Sequence, residues 1–285
     1  MLKIKLPATT ANLAVGFDSL GMALNIYNEF HFVESSEFTL TNFKLNEDNL
    51  VLSSYLAFTE KYSKKTQPVE IIMADNGIPY SRGLGSSATC ILAGVLASNH
   101  FNGLNKSYYE CVKFAANLEG HPDNIFACAY GGLLSVFKDE EEYYFSLLEV
   151  SKDLKLKVII PNELGNTKAL RSVLPNEVKM EDAVYNISRS FSFASAIKKG
   201  DFSLLKRILK DRLHQPYRFP YIPRYEDLEV LDKQEDIIVL ISGSGPTVLL
   251  VSPKQTTTTV KNVLLESFES IDVMISDKTE VEVIQ

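Results

Sequence analysis

Two glycines and two serines just ahead of an apolar helical pattern form the segment of this chain best suited to chemistry. It reads Pro79-Tyr80-Ser81-Arg82-Gly83-Leu84-Gly85-Ser86-Ser87-Ala88-Thr89. Gly83 and Gly85 can adopt torsions closed to other residues and let a bulky anion approach the main chain. The N–H groups at the start of the following helix have no acceptor within it and point outward together. The helix dipole adds roughly 0.3–1 kcal/mol for an exposed anion and up to ~2 kcal/mol when the site is partly buried. Ser86 and Ser87 supply hydroxyls for a phosphate oxygen or a magnesium ion. Three readings fit the residues alone: an unliganded loop with serine at an N-cap, a dinucleotide site, or a nucleoside-triphosphate loop. Gly83, Gly85 and Ala88 match the loose GxGxxG/A spacing, but a second amphipathic helix follows instead of a strand ending on an acidic residue. No GxxxxGK[ST] occurs, so a triphosphate loop here is of a non-Walker kind.

Other polar groups could serve a turn or a small ligand. Asn12 and Asp18 flank a turn; Asp18 can take an ammonium or a hydroxyl, and Asn12 can donate and accept at once. A turn-stabilising Asx pair is the alternative. Thr167 and Arg171 lie one helical turn apart on the same face. Arg171 and Arg218 offer guanidinium forks for a carboxylate, or are ordinary surface charges. Glu119 stands at a helix C-terminus, where a carboxylate opposes the dipole, so a purely structural role suits it poorly. Asp123 and Asn124 suit helix caps better than catalysis.

These groups need elements to position them. The alternating start Leu2–Leu6 reads as a strand, followed by strand-like segments at Glu29–Glu34, Phe38–Leu40 and Val69–Met73. Ala88, Ile91, Leu92, Val95 and Leu96 mark one buried helix face. Ser107 with Glu110 forms a capping-box pattern for a second helix that stops at Gly120 and Pro122. A short helix ends at Gly131-Gly132, and Leu133–Phe137 with Tyr143–Leu148 form a hairpin. Leu156–Ile160 is a strand closed by Pro161. Helices are expected near Thr167–Leu174, Asp182–Lys198, Phe202–Leu213 and Val260–Phe268. Ile237–Ile241 and Thr247–Val251 are strands around a glycine turn, and Val281–Ile284 is a last strand. Interspersed elements without strict alternation indicate an α+β fold with a boundary near residue 150.

Composition narrows the function classes. The 285 residues are 45% apolar and 23% charged, with net charge −7 and no basic block beyond short pairs. That disfavours nucleic-acid binding, which needs a basic face, but not binding of phosphates by local N–H groups. No apolar run approaches the ~20 residues of a membrane span, and the start of the chain lacks a signal-peptide pattern. A cytoplasmic location without membrane contact is expected. Cys90, Cys111 and Cys128 have no CxxC spacing and read as small buried residues in a reducing compartment. Neither they nor the four histidines form a zinc pattern.

Pro79–Ala88 closely resembles the PxxxGLGSSA nucleotide motif of the galactokinase, homoserine kinase and mevalonate kinase (GHMP) superfamily. Pro7–Gly21 is similar to that superfamily's N-terminal substrate motif, and Ile241–Thr247 to its C-terminal glycine-rich motif. The three occur in the family's order across nearly the whole chain. The resemblance implies a two-domain GHMP kinase fold: a ribosomal-protein-like N-terminal domain (1–150) with a left-handed βαβ unit, binding ATP, and a ferredoxin-like C-terminal domain (151–285).

Leu118–Asn124 and Asp211–Arg218 resemble the homoserine kinase branch. This implies that Ser87 and Glu119 hold Mg2+, and that Pro79–Thr89 cradle the ATP phosphates, with Asn49 near the adenine. Asn12, Asp18, His121, Thr167, Arg171 and Arg218 would orient L-homoserine, Arg218 being preferred over Arg212. The implied activity is ATP-dependent phosphorylation of L-homoserine to O-phospho-L-homoserine in threonine biosynthesis, without an aspartate base; a homodimer is an open assembly. Another GHMP kinase, of mevalonate or sugar type, and a non-catalytic ligand-binding member are the alternatives. The family usually carries Gly-Pro where this chain has Ala14-Val15. Alanine excludes torsions that glycine reaches, so a slightly different turn is expected there.

Overall fold

The computed structural model describes residues 1–43, 49–162, 167–256, 268–276 and 279–284. In the first half, strands β1 (Leu2–Asn12), β2 (Gly16–Glu34) and β3 (Thr39–Thr41) precede helix α1 (Leu50–Tyr62) and strand β4 (Val69–Asn76). Helices α2 (Ser86–Phe101), α3 (Tyr108–Glu119) and α4 (Asp123–Tyr130) follow, then the hairpin β5 (Leu133–Asp139) and β6 (Glu142–Leu148). The second half contains β7 (Leu154–Pro161), α5 (Thr167–Ser172), α6 (Met180–Lys199), α7 (Phe202–Ile208), α8 (Gln215–Arg218) and α9 (Tyr225–Asp232). It closes with β8 (Ile238–Ile241), β9 (Val248–Pro253), β10 (Phe268–Val273) and β11 (Glu280–Val283).

A seven-stranded sheet runs β11-β1-β2-β4-β3, with β5 on the first part of β2 and β6 beyond it. β3 and β4 are parallel around α1, which makes β3–α1–β4 the βαβ unit. The second sheet is four-stranded and antiparallel in the order β10-β7-β9-β8. Numbered within its own half, that is 4-1-3-2, the ferredoxin-like order. The expected α+β, two-domain architecture is met. The last strand, however, leaves the second half and pairs with β1, so residues 280–283 belong to the first sheet.

Local chemistry explains most of the elements. Ser107 and Glu110 form a reciprocal capping box at the start of α3, and Gly120 ends it in a left-handed conformation. α2 is apolar nearly all round and accordingly buried between the sheet and its neighbouring helices. Pro7 sits inside β1 without breaking it because the register with β2 slips between Pro7 and Ala8. Gly21 lets α4 lie directly on β2, since a Cβ there would collide with the Asp123 carbonyl.

Several expectations need correction. The first strand continues through Asn12, and β2 spans nineteen residues where only Glu29–Glu34 looked extended. α1 and α9 had not been expected. The helix expected over Phe202–Leu213 stops at Ile208. Beyond it the Asp211 carboxylate accepts from the N–H groups of Leu213, His214 and Gln215, an arrangement that competes with helix. The helix expected at Val260–Phe268 lies outside the described residues except Phe268, which begins β10. A core shared by both halves joins Ala8, Leu20 and Met22 to Leu156, Phe193 and Ile197, which holds the two sheets around one cleft.

Candidate active site

A cleft of about 500 Å³ opens where the two halves meet. Its floor is the start of α2. Gly85 is the N-cap, left-handed at φ 68°, and no side chain caps the helix. A Cβ at Gly85 would collide with the Thr9 hydroxyl. The serine N-cap envisaged for an unliganded loop is therefore not what forms. The first N–H groups of α2 are left without a side-chain acceptor, as an anion site requires. The Ser86 hydroxyl and Arg82 Nη1 are buried in this loop without hydrogen-bond partners. Buried donors without partners are rare and costly, and both would be satisfied by phosphate oxygens.

The loop is braced from two sides. The Thr9 N–H donates to the Leu84 carbonyl (3.0 Å), and the Ser242 hydroxyl donates to the Gly83 carbonyl (2.6 Å). The Thr247 N–H donates to the Arg82 carbonyl (3.1 Å). The C-terminal glycine turn thus buttresses the loop, and Gly243 and Ser244 also line the cleft.

At the mouth of α2, the Ser87 hydroxyl donates to Glu119 Oε1 at 2.5 Å. His121 lies 3.9 Å from the same carboxylate and 3.2 Å from Asp123. Burial works to lower the His121 pKa, but the Asp123 hydrogen bond and the charges of Asp123 and Glu119 outweigh it, and the net shift is upward. Asp123 is 2% exposed and also accepts from the Asn124 N–H (2.7 Å). Phe43, Leu50, Val51, Tyr80 and Cys90 line an apolar part of the cleft, suited to a planar base.

Asn12 ties the halves together. Its amide donates to the Gly243 carbonyl (2.7 Å) and accepts from the Asp18 N–H (2.9 Å). The turn it opens is left-handed at Asn12, Leu13 and Ala14, with φ of 73°, 42° and 61°. Ala14 thus takes a left-handed torsion that costs an alanine roughly 1–2 kcal/mol. Asp18 and Arg171 form an ion pair across the cleft.

Arg218 is 2% exposed. It donates from Nε to the Leu170 carbonyl (3.1 Å) and from Nη1 to the Gly243 carbonyl and His214 Nδ1 (3.2 Å each). No carboxylate forms an ion pair with it among the described residues. Burial, and then the charge of Arg171, lower its pKa to about 10, so it stays cationic at neutral pH. The charges of Asp18, Asp211 and Asp123 support it without direct contact, which leaves the buried guanidinium able to take an anion.

His214, fully buried, sets that guanidinium. Arg218 can only donate, so His214 Nδ1 accepts and its Nε2–H donates to the Ala14 carbonyl (3.1 Å). The ring stacks on Phe17 (5.2 Å, 21°), which lies 5.4 Å from Arg218 and 5.9 Å from Arg171. Burial lowers the His214 pKa to about 4, against ~6.5 unfolded. Between those values the unfolded chain binds the extra proton. Stability is therefore complete above pH ~6.5 and falls as pH drops towards 4, by on the order of 1.4 kcal/mol per unit. Urea midpoints at pH 7 and pH 5 should show this slope, and His214→Gln should flatten it.

Of the residues anticipated from sequence, Asn12, Asp18, Asn49, Tyr80, Ser81, Arg82, Gly83, Gly85, Ser86, Ser87, Glu119, His121, Arg171 and Arg218 line the one cleft. Leu84, Ala88 and Thr89 point elsewhere: the first two are buried in the core, and the Thr89 hydroxyl donates to the Ser86 carbonyl. Pro79 precedes the loop without lining the cleft. Asn49 lines it, and its side-chain oxygen caps α1, accepting from the N–H groups of Val51 and Leu52. Thr167 opens α5, with its side chain outside the described residues. His214, Phe17 and Asp211 had gone unremarked; the visible signal was only their position inside the two quoted motifs.

The family model described as "GHMP kinases N terminal domain" matches residues 49–132, and "GHMP kinases C terminal" matches residues 193–270. A homoserine kinase of Clostridium beijerinckii is 37% identical over 258 residues, covering 88% of this chain and 86% of that protein. One from Clostridium botulinum is 36% identical over 272 residues, covering 92% and 90%. The crystal structure of a homoserine kinase from Cytophaga hutchinsonii superposes with a TM-score of 0.81 at 28% identity, covering 99% of this chain and 97% of that one. A Streptococcus pneumoniae phosphomevalonate kinase shares the fold at 13% identity and a TM-score of 0.74.

Proposed function

The chain belongs to the GHMP kinases, which use ATP, and from that premise we propose that it phosphorylates the side-chain hydroxyl of L-homoserine. The single observation that carries the substrate class is Arg218, a buried cation with no carboxylate in ion-pair contact among the described residues, facing the same cleft as the uncapped start of α2. One site is ready for a phosphate and the other for a carboxylate. The curated relatives of similar length, named homoserine kinases, support the reading.

In this reading the N–H groups after Gly85, the Ser86 hydroxyl and Arg82 hold the ATP phosphates. Arg218 takes the α-carboxylate of homoserine. Asp18 and Arg171, which neutralise each other in the free enzyme, offer a carboxylate for the α-ammonium and a second guanidinium for the carboxylate. Such transfer depends mainly on positioning and on neutralising charge that develops on the phosphoryl oxygens. The cleft carboxylates are all engaged: Asp18 with Arg171, Asp123 with His121 and Asn124, Glu119 with Ser87. With those partners kept, the hydroxyl attacks the γ-phosphorus directly: the new O–P bond forms as the bond to ADP breaks, and the hydroxyl proton passes to a phosphoryl oxygen.

Mg2+ fits the donor set. Ser87 and Glu119 converge as two hard oxygen donors beside the phosphate loop, and magnesium habitually takes one or two protein ligands with phosphate oxygens and water. When bound it would neutralise phosphate charge; Ser87 and Glu119 would hold it.

An ADP-release assay with L-homoserine, L-serine, L-threonine and mevalonate is the test. Homoserine should exceed every other acceptor in kcat/KM by at least about tenfold, a difference of ~1.4 kcal/mol in transition-state binding. Equal or greater turnover of mevalonate would reject the amino-acid clamp.

A further inference from the structure

We infer that Phe17 is a positioning residue for the substrate carboxylate: its ring holds both cleft guanidiniums, Arg171 and Arg218, without occupying the N–H donors that they offer an anion. The inference rests on the amino-acid reading above and deepens it. Phe17 lies near the start of β2, next to Asp18. Neighbours along a strand point to opposite faces, yet Phe17 and Asp18 both reach Arg171. Its guanidinium carbon is 5.9 Å from the Phe17 centroid, and the same side chain pairs with Asp18. The left-handed torsion at Asp18, φ 54°, breaks the alternation and makes this possible. The half-buried ring also lies 5.4 Å from the Arg218 guanidinium carbon and stacks on His214.

Electrostatics explains why an aromatic residue suits this position. Arg171 and Arg218 carry like charges, and the charge of Arg171 works against that of Arg218. To grip one carboxylate together, both must be held against their repulsion. A carboxylate at position 17 would hold them, but it would pair with the guanidiniums and take the donors the substrate needs. An aliphatic side chain would offer no attraction. The face of a phenyl ring attracts a cation through its quadrupole and accepts no strong hydrogen bond. Arg218 spends Nε and Nη1 on Leu170, Gly243 and His214, and Nη2 takes part in none of these bonds.

The ring matters most at the moment of binding. In the reading above the substrate ammonium engages Asp18, so Arg171 gives up its ion pair. The contact with Phe17 then remains to keep that guanidinium turned towards the carboxylate.

Replacing Phe17 in the full-length enzyme by mono-, di- and trifluorophenylalanine tests this, because fluorine keeps the ring's shape nearly unchanged while weakening its negative face stepwise. The homoserine KM should rise with each fluorine, reaching about tenfold for the trifluoro ring, equivalent to ~1.4 kcal/mol. The KM for ATP should stay within about twofold. Phe17→Tyr, which keeps the π face, should stay within about threefold of wild type, and Phe17→Leu should lose at least as much as the trifluoro ring. Thermal melts of the fluorinated proteins should match wild type. A homoserine KM that is flat across the fluorinated series would overturn the inference even if Phe17→Leu were impaired, since the ring would then be a packing spacer. Equal rises in both KM values would overturn it too. Wild-type enzyme that failed to turn over homoserine would instead reject the amino-acid reading, and this inference with it.

Discussion

Arg218→Ala should raise the KM for homoserine by about 30-fold or more while leaving the KM for ATP within about twofold. The range follows from removing one partner of a desolvated charge pair, which costs ~2–5 kcal/mol, against less than ~1 kcal/mol for an exposed pair. Arg218 is 2% exposed and makes no ion pair with a carboxylate among the described residues, so the range for a desolvated pair applies. Arg218→Lys should rescue little. Nε and Nη1 are already committed to Leu170, Gly243 and His214, and one ammonium cannot both keep those bonds and reach a substrate. Some thermal stability will be lost, because the Leu170 carbonyl and His214 Nδ1 lose the Arg218 donor. Steady-state kinetics with each substrate varied in turn separates the effects. Parallel losses in both KM values would mean that Arg218 merely holds the cleft together.

Glu119→Gln should lower kcat by about 100-fold, or ~2.7 kcal/mol of transition-state stabilisation, and shift half-activation by Mg2+ upward by at least about tenfold. Glu119 brings the single formal charge to the pair it forms with Ser87 at 2.5 Å. The amide keeps the shape and the Ser87 hydrogen bond but removes that charge. Ser87→Ala, which removes a neutral donor, should cost less. A Mg2+ titration at saturating ATP and homoserine reads both quantities. If neither kcat nor the Mg2+ requirement moved, the two residues would not be the metal's ligands.

What could be read from sequence was what local physics decides. Gly83 and Gly85 announce an anion loop because their torsions and the free N–H groups beyond them depend on near neighbours alone. The capping box at Ser107 and the Gly120 stop are equally local. The Gly85 N-cap itself was not anticipated, because the contact that leaves no room for a Cβ there comes from Thr9, seventy-six positions earlier. The length of β2 was hidden for a similar reason. Gly16–Leu24 has the composition of a turn motif, and it extends only because β1 and β5 supply hydrogen-bond partners on either side.

The sequence by itself determined the family, the glycine loop and the set of polar residues around it, since motif spacing and backbone chemistry are written along the chain. Tertiary structure decided how those groups are used. It turned Leu84, Ala88 and Thr89 into the interior and paired Asp18 with Arg171. It also set His214 behind Arg218 as a neutral acceptor. Those outcomes depend on contacts between residues up to two hundred positions apart, such as His214 with Ala14, and only the packing of two sheets around one cleft brings such residues within hydrogen-bond reach.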